Sequence, residues 1–299
     1  MAAVTDGEAG PSTQQPALSV VVGCVGDATC AAACLEALAG QIDDTEVLVL
    51  APCAVPSALQ ARFPQARFHE RPGALVPELW RDGIDLARGR IVALTISPMV
   101  PAPDWVATAL REAELHGVVA GAIDPLDGLP FGDLAECLCR YARDMTPFEP
   151  RESPHIPGDN CVYKRELLEG TRALWADGFW EPVVNDGLAQ QGVALRQDPA
   201  LRVHQGRSAG SAAFVRQRLV HGRAHGRQRG AGFGAPRNLV GILAAPVVPL
   251  VLLLRMYREL ASRGRLDARA IAALPWLAAY DVAWAVGEAR GHLDALRAS

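Results

Sequence analysis

The sequence predicts an α/β fold, in which a doubly wound, mostly parallel sheet is followed by a C-terminal helical extension. Three observations predict it. Short apolar, β-branched runs alternate with amphipathic segments of helical period, which is the pattern of successive βαβ units. The runs are apolar at nearly every position, as in parallel strands that are covered on both faces. Beyond residue 207 the strand-like runs stop, and Arg-rich and apolar helical segments follow.

Each predicted strand is a short apolar run, beginning with Leu18 to Gly23, where β-branched residues lead up to a glycine. The other strands are predicted at 46–50, 67–70, 91–95 and 118–123, from Gly158 to Tyr163, and as a short strand pair at 193–204. The predicted helices carry apolar residues on one side, and several end next to a glycine. They span 28–40, 56–62, 74–88, 103–115, 131–144 and 180–191, and one more starts at Arg165.

Composition divides the chain into three parts. Residues 1–16 are predicted to be a disordered tail, residues 17–207 to form the α/β domain, and residues 208–299 to form a basic and apolar helical region. The N-terminus has neither a basic segment nor an apolar core, so no signal peptide is predicted. Seven cysteines without a C-x-x-C pair indicate reduced thiols in a cytosolic protein.

The net charge of −4 conceals a strong asymmetry. Residues 201–299 contain 15 arginines and 5 acids, whereas the rest of the chain is acidic. A nucleic-acid-binding protein would need a basic stripe with interleaved aromatic residues, so nucleic acid is excluded as a partner. A basic C-terminal third instead fits a surface that faces anionic phospholipid.

Two apolar segments of the C-terminal region predict contact with a membrane. The 17 residues between Arg237 and Arg255 carry no charge, but Pro246 and Pro249 interrupt them. A single span needs about 20 apolar residues. The second segment, 270–286, contains Trp and Tyr, as segments at the bilayer interface do. Interfacial or re-entrant helices at the cytoplasmic face are predicted; a hairpin of two spans and a soluble helical cap or dimer face remain alternatives.

Four stretches carry a further signal through their order and spacing. They are LSVVVG at 18–23 with LEAL at 35–38; EVLVL at 46–50; GIDLARGRIVAL at 83–94 with VPAPDW at 100–105; and GDN at 158–160 with RELL at 165–168, GFWE at 178–181 and DP at 198–199. Together they resemble the family 2 glycosyltransferases over roughly residues 17–205. The resemblance implies a GT-A fold, a nucleotide-sugar donor, and the membrane-associated tail that bacterial members often carry.

The sequence departs from this family at the donor site. Where family members end the second strand with an acid that contacts the nucleotide base, this chain has Ala51-Pro52. Where they place a D-x-D motif after the fourth strand, it has Ile96, Ser97 and Pro98. A divalent metal that neutralises a leaving diphosphate needs oxygen ligands. We therefore predict no D-x-D-bound metal, and no other cofactor is indicated.

The resemblance also implies which residues contact the substrates. The implied nucleotide-binding residues are Gly23, Cys24, Val25, Ala51, Pro52, Thr95, Ile96 and Ser97, and the implied acceptor-binding residues are Gly158, Asp159, Asn160 and Trp180. The family's general base is an acid at the start of a helix, about 11 residues before the glycine that closes it. Glu181 has this spacing to Gly192, and Asp186 is the alternative catalytic residue.

Without a metal, cationic side chains could stabilise a diphosphate leaving group. The candidates are Arg216, Arg218 and Arg223, and the alternative is a basic helix that lies against phospholipid head groups. His221 and His225 are spaced like a metal-binding pair, but the acid of an H-E-x-x-H motif is missing, so no zinc site is predicted.

Two hypotheses from different classes remain. In the first, the protein is a membrane-associated glycosyltransferase that transfers a sugar from a nucleotide sugar to a lipid-linked or small-molecule acceptor. In the second, it is a non-catalytic, glycosyltransferase-like binding or scaffold protein with a protein partner at the membrane. A Rossmann dehydrogenase is excluded, because Gly23-Cys24-Val25-Gly26-Asp27 lacks the G-x-G-x-x-G spacing of a dinucleotide-binding turn.

Overall fold

The computed structural model of the protein describes residues 15–42 and 44–298. Residues 1–14 of the predicted tail lie outside the described residues. The last two residues of that tail contact the α/β domain: the Gln15 amide donates to the carbonyl of Arg88 at 2.9 Å. The carbonyl of Pro16 accepts from the Arg90 amide at 3.4 Å.

Within the described residues, nine strands form one mixed sheet across the α/β domain. They are β1 Leu18–Gly23, β2 Thr45–Ala51, β3 Ala66–Glu70, β4 Ile91–Ile96, β5 Met99–Pro101, β6 Val118–Pro125, β7 Arg151–Glu152, β8 Asn160–Lys164 and β9 Leu195–Gln205. Their order is β3-β2-β1-β4-β8-β6-β9-β5, with β7 also paired to β9. The pairs β3-β2, β2-β1, β1-β4 and β6-β9 are parallel. Since β8, β5 and β7 alone run antiparallel to their neighbours, the predicted mostly parallel α/β sheet is confirmed.

Helices connect these strands and form the C-terminal region. They are α1 Ala32–Ala39, α2 Ser57–Arg62, α3 Val76–Leu86, α4 Trp105–Leu115, α5 Phe131–Tyr141, α6 Arg165–Gly170, α7 Glu181–Gln190, α8 Ser211–Ala231, α9 Ala235–Ala244, α10 Val248–Ser262, α11 Ala268–Ala272 and α12 Leu274–Ala298. Short 3-10 helices at Ala28–Ala31 and Arg172–Trp175 precede α1 and α7. Every predicted helix of the α/β domain is present, with shifted ends.

The structure corrects one strand prediction and adds two strands that were not predicted. The predicted strand pair at 193–204 is the single strand β9, whose pairing with β6 shifts by several residues between Gly121 and Ala122. This bulge, not a turn, accommodates Asp198-Pro199. The strands β5 and β7 were not predicted, because two or three residues are too few to show an alternating pattern.

The structure has two apolar clusters. The larger one contains the buried residues of the sheet and of the helices that cover it, including all of β1 and β4 apart from their polar positions. The smaller cluster joins α5 to the C-terminal helices through Leu138, Phe214, Leu260, Leu277 and Tyr280. The C-terminal region is therefore packed on the α/β domain through α5, and this contact fixes where its arginines lie.

The longest helices of the C-terminal region, α8 and α12, approach each other backbone to backbone. A β-carbon added to Gly226 would overlap the carbonyl of Glu288, and one added to Gly291 would overlap the carbonyl of Arg223. Only residues without a side chain allow such a close approach.

None of the described helices is by itself long and apolar enough to span a membrane. Helices α9 and α10 reach the required length and hydropathy only when they are taken together, and the two are bent by 67° relative to each other.

Candidate active site

A cavity of about 350 Å³ lies where the end of α5, the loop before β8 and the start of α7 meet. It is lined by Cys139, Arg140, Tyr141, Arg143, Asp144, His155, Ile156, Pro157, Gly158, Asp159, Glu181 and Arg218. We call it the Glu181 cavity. It brings together four residues that the sequence singled out, namely Gly158, Asp159, Glu181 and Arg218, from three separate parts of the chain.

Glu181 is the first residue of α7 and reaches the cavity over Gly158. A β-carbon on Gly158 would lie 2.6 Å from the Glu181 Cγ atom, so the glycine leaves the room that this side chain occupies. Burial, together with the negative charge of Asp159, raises the pKa of Glu181 to about 7. A carboxyl group with this pKa is suited to accept a proton near neutral pH.

Asp159 is held by two neighbours from α5. Its Oδ2 atom accepts a hydrogen bond from Arg140 Nη2 at 2.7 Å and another from the hydroxyl of Tyr141. The Thr95 hydroxyl donates to the main-chain carbonyl of Asp159 at 3.0 Å, which ties the end of β4 to this loop. The carboxylate is therefore oriented by a cation and a hydroxyl, while its charge acts on Glu181.

Arg140 is the central cation of the cavity. It ion-pairs with Asp159 at 2.7 Å and lies 3.7 Å from Glu136, one helical turn earlier in α5. Burial alone would lower its pKa, but the neighbouring Tyr141 and the carboxylates of Asp159 and Glu136 outweigh that effect and raise it. Arg140 thus stays charged in this partly closed site.

Asp144 adds a second unusual carboxyl group to the wall. It is buried, and its Oδ1 atom accepts a hydrogen bond from Gln197 of β9 at 2.8 Å. Desolvation raises the pKa of Asp144 to about 6. Arg140, Tyr141 and Asp144 were not predicted as site residues from the sequence. The only sign of them in the sequence is a cluster of charged residues at the end of the amphipathic helix α5. The sequence around this cluster does not show that the end of α5 faces residue 159.

The implied nucleotide-binding residues gather at the carboxyl ends of β1, β2 and β4, the edge of a parallel sheet at which ligands commonly bind. The Ser97 amide donates to the Gly23 carbonyl at 3.0 Å, and the Val25 amide donates to the Ser97 hydroxyl at 3.0 Å. Val25 and Pro52 are partly exposed. Cys24, Ala51, Thr95, Ile96 and Ser97 are buried, so this edge offers a ligand mainly backbone and the surfaces of Val25 and Pro52.

The positions of the missing D-x-D motif do not fit a metal. Ile96 is buried among apolar residues, the Ser97 hydroxyl is occupied by the Val25 amide, and Pro98 has no side-chain donor atom. Across residues 15–42 and 44–298, no group of three His, Cys, Asp or Glu side chains is placed to hold a metal ion.

Other implied site residues lie elsewhere. Asn160 does not face the cavity: it is fully buried, and its amide bonds Trp105 at 2.9 Å and the carbonyls of Ala122 at 3.0 Å and Leu201 at 2.9 Å. It joins β8 to its neighbours and has no group left for an acceptor. Trp180 is 49% exposed beside α7 and does not line the Glu181 cavity.

Asp186 and two of the three predicted phosphate-binding arginines also point away from the cavity. Asp186 is exposed further along α7. Arg216 is exposed on α8, and Arg223 ion-pairs with Asp294 of α12 at 2.6 Å. Only Arg218 lines the cavity, and it is fixed there by Asp281 at 3.0 Å. The arginines at the site are therefore Arg140, Arg143 and Arg218.

Comparison with known proteins places this geometry in context. No protein-family model matches the chain, and no curated protein matches it in sequence. Among solved structures, it is similar to the mannosyltransferase PcManGT from Pyrobaculum calidifontis, in complex with GDP-Man and Mn²⁺. That match has a TM-score of 0.53 and 20% identity, and it covers 92% of this chain and 88% of the other. The chain has a GT-A-like glycosyltransferase fold.

Two further solved glycosyltransferases match a smaller part of this GT-A-like protein. S. aureus TarS 1–349 in complex with UDP has a TM-score of 0.46 and 12% identity, covering 67% of this chain and 63% of that one. GalNAc-T7 with UDP, GalNAc and Mn²⁺ has a TM-score of 0.48 and 13% identity, covering 66% of this chain and 45% of that one. The match to the mannosyltransferase PcManGT, with its TM-score of 0.53, confirms the fold that the sequence motifs implied.

Proposed function

We propose that the protein is a glycosyltransferase that transfers a sugar from a nucleotide-sugar donor to an acceptor hydroxyl, without a D-x-D-bound metal. The observation that carries the proposal is the position of Glu181 in a cavity with Asp159 and Arg140, where its pKa is raised to about 7. The GT-A-like fold supports the class of donor. The nucleotide would bind at the carboxyl ends of β1, β2 and β4, because ligands of parallel sheets commonly bind at this edge.

In the proposed reaction, Glu181 accepts the proton of the acceptor hydroxyl while the hydroxyl oxygen attacks the anomeric carbon. The bond between that carbon and the diphosphate oxygen breaks, and the nucleoside diphosphate leaves with the electron pair. Negative charge therefore grows on the diphosphate. Arg140 and Arg218, both held by carboxylates at the cavity wall, supply positive charge close to this centre.

We also propose that the C-terminal region binds to the cytoplasmic face of a membrane. Helices α9 and α10 expose large apolar side chains, with Leu243 70% and Leu250 57% exposed. Arginines lie within the same helices, Arg237 near the start of α9 and Arg255 and Arg258 in the second half of α10, as expected of helices that lie in the interface of an anionic bilayer. A lipid-linked acceptor would then be presented to the protein at this surface; a small soluble acceptor is the alternative.

Calorimetric titration of the full chain with UDP, GDP and dTDP, each in EDTA and in Mn²⁺, tests the donor site. We expect one nucleotide to bind saturably in EDTA. Binding that requires Mn²⁺ would contradict the metal-independent mechanism. Failure of all three nucleotides under both conditions would contradict the enzyme proposal and favour the non-catalytic scaffold. The scaffold hypothesis is motivated by the lack of an acid at Ala51, Ile96 and Pro98, where the family resemblance implies one.

Turnover assays with the nucleotide sugar so identified test the base. Glu181→Gln should lower kcat by about 100-fold or more, since general base catalysis contributes roughly 10²–10⁴. Asp186→Asn, which removes the rival acid from the same helix, should leave kcat close to the wild-type value. If the two variants behave in the opposite way, the base has been misassigned.

A further inference from the structure

A second and larger cavity of about 760 Å³ lies among α5, α8, α10 and α12. We call it the helical cavity. It shares Cys139, Arg140, Arg143 and Arg218 with the Glu181 cavity, so the two meet along one wall. Its volume is within the roughly 300–1,000 Å³ of small-molecule sites. A ligand that fills it would therefore reach the wall that it shares with the cavity of the candidate base.

One side of the helical cavity is apolar. Ala244, Val247, Val248, Val251, Leu252 and Met256 line it from the end of α9 and from α10. The same helices continue outward as the exposed apolar surface of Leu243, Leu250 and Leu254. An acyl or prenyl chain that lies along α10 would thus contact apolar side chains both at a bilayer surface and inside the cavity.

The other side is basic. Six arginines and three acids line the helical cavity: Arg140, Arg143, Arg218, Arg229, Arg255 and Arg258 against Glu259, Asp281 and Glu288. Arg218 is bound to Asp281 and stacks on Trp284 at 4.4 Å from the ring centroid. Within the described part of the chain, no carboxylate lies within 4.0 Å of Arg143, Arg255 or Arg258. These unpaired cations need an anion when apolar groups of a ligand displace water around them.

We propose that the helical cavity binds an acceptor lipid of one class, an anionic phosphodiester lipid with a hydroxyl in its head group. Its chain lies along α10, its phosphate faces Arg143 and Arg218, and its head group extends into the Glu181 cavity. The inference rests on the glycosyltransferase function proposed above and names the acceptor class for that site.

The two cavities select this class jointly. A neutral lipid alcohol would leave the arginines without a counter-ion. A lipid phosphomonoester would attack through an oxygen that is already deprotonated, so it would give Glu181 no proton to accept. A phosphodiester that carries a free hydroxyl in its head group satisfies both sites. On transfer, its oxygen bonds to the anomeric carbon, its proton passes to Glu181, and the nucleoside diphosphate departs with the electrons of the broken bond.

Short-chain lipids test the class with the full protein. The probes are dihexanoyl-phosphatidylglycerol, the matching phosphatidic acid and the matching diacylglycerol, with binding measured by calorimetry and transfer measured from the nucleotide sugar. We expect phosphatidylglycerol to bind at least ten-fold more tightly than diacylglycerol and to be the one lipid of the three that is glycosylated. Transfer to phosphatidic acid, equal binding of diacylglycerol, or no transfer to any of them would overturn the proposal.

Paired variants locate the site. Val251→Trp fills the helical cavity and should weaken phosphatidylglycerol binding at least ten-fold, whereas Leu254→Trp, exposed on α10 outside the cavity lining, should not. Arg255→Glu should also weaken it, whereas Arg290→Glu, exposed on α12 away from both cavities, should not. Equal binding by each pair would contradict the site.

Nucleotide binding separates the two proposals. The Val251→Trp and Arg255→Glu variants should bind the nucleoside diphosphate as the wild type does, because neither residue lines the Glu181 cavity or the ends of β1, β2 and β4. Wild-type protein that binds nucleotide but none of the lipids refutes the acceptor class alone. Wild-type protein that binds no nucleotide refutes the glycosyltransferase proposal itself.

Discussion

Gly158 lies directly beneath Glu181, with the place of its missing β-carbon 2.6 Å from the Glu181 Cγ atom. A methyl group at residue 158 must therefore displace the carboxyl group or the loop that carries Asp159. This contact joins two motifs that are 23 residues apart in the chain, and it makes the position of the proposed base dependent on a residue with no side chain of its own.

Gly158→Ala is expected to lower kcat by about 10–100-fold, because displacement of a catalytic group by about 1 Å costs up to roughly 10²-fold in rate. Gly170→Ala is the control, since a β-carbon there has no neighbour within 4 Å. Steady-state kinetics checks both variants, with circular dichroism to show that they are folded. A Gly158→Ala enzyme with wild-type kcat would show that Glu181 does not need its present position.

The pH dependence of kcat should report the ionisation of Glu181. Because burial and Asp159 raise its pKa to about 7, the carboxylate needed as base forms only as the pH rises through that value. We expect kcat to increase with pH up to about 8 and then to level off. Measurement of kcat from pH 5 to 9 with saturating substrates checks this. A profile that is already flat at pH 5 would argue for a base with an ordinary carboxyl pKa.

Glu181→Gln should change the pH dependence of thermal stability. In the unfolded chain Glu181 has an ordinary pKa, whereas in the folded protein the pKa is about 7, so ionisation costs folding free energy as the pH rises from about 4.5 to 7. A glutamine at this position does not ionise, so the variant does not lose this stability. The difference between the Tm of the variant and the Tm of the wild type should therefore become more positive from pH 4.5 to pH 8, as measured by scanning calorimetry. A difference that does not vary with pH would contradict the raised pKa.

Asp159→Asn should move the acidic limb of the kcat profile to lower pH. The substitution removes a negative charge that raises the pKa of Glu181, and it frees Arg140 from its 2.7 Å ion pair, so both changes favour the ionised base. Asp104→Asn, at an exposed position before α4, is the matched control. A shift of the limb to higher pH would mean that Asp159 does not act on Glu181 through its charge.

Gly226→Ala should destabilise the protein although alanine is the better helix former by about 1 kcal/mol. The added methyl would overlap the main chain of α12 at Glu288, and overpacking of this kind costs about 1–3 kcal/mol. We expect a lower Tm than the wild type. Gly40→Ala, where nothing lies within 4 Å, should be neutral or slightly stabilising. A more stable Gly226→Ala protein would show that α8 and α12 are further apart.

Much of the fold was predictable because the pattern behind it is local. An apolar run of β1 or β4 and the helical period of α3 or α4 reflect backbone geometry over a few residues, and both appear in the printed sequence. The lack of an acid at Ile96 and Pro98, the positions that the family resemblance implies for a D-x-D motif, is equally visible there. The position of Glu181 at the start of a helix followed from its spacing to Gly192.

The surroundings of Glu181 were not predictable in this way. Asp159 and Asn160 are adjacent, and successive side chains along a strand point to opposite faces of the sheet. The sequence does not show which face is buried at this point. It could therefore not show that Asp159 contacts Arg140 while Asn160 enters the core. Arg218 and Arg223 lie on one helix, but α12 pairs Arg223 with Asp294 outside and leaves Arg218 at the cavity.

By itself, then, the sequence determined the alternation of strands and helices, the lack of carboxylates at residues 96–98 and the acid that begins α7. Only the tertiary structure decided which arginines line the cavity of that acid and where a larger cavity shares a wall with it. The physical reason is that local periods follow from the geometry of the chain, whereas the neighbours of a side chain follow from how buried apolar surfaces fit together. Here the contact of α5 with the C-terminal helices, through Leu138, Phe214 and Tyr280, placed the cavities.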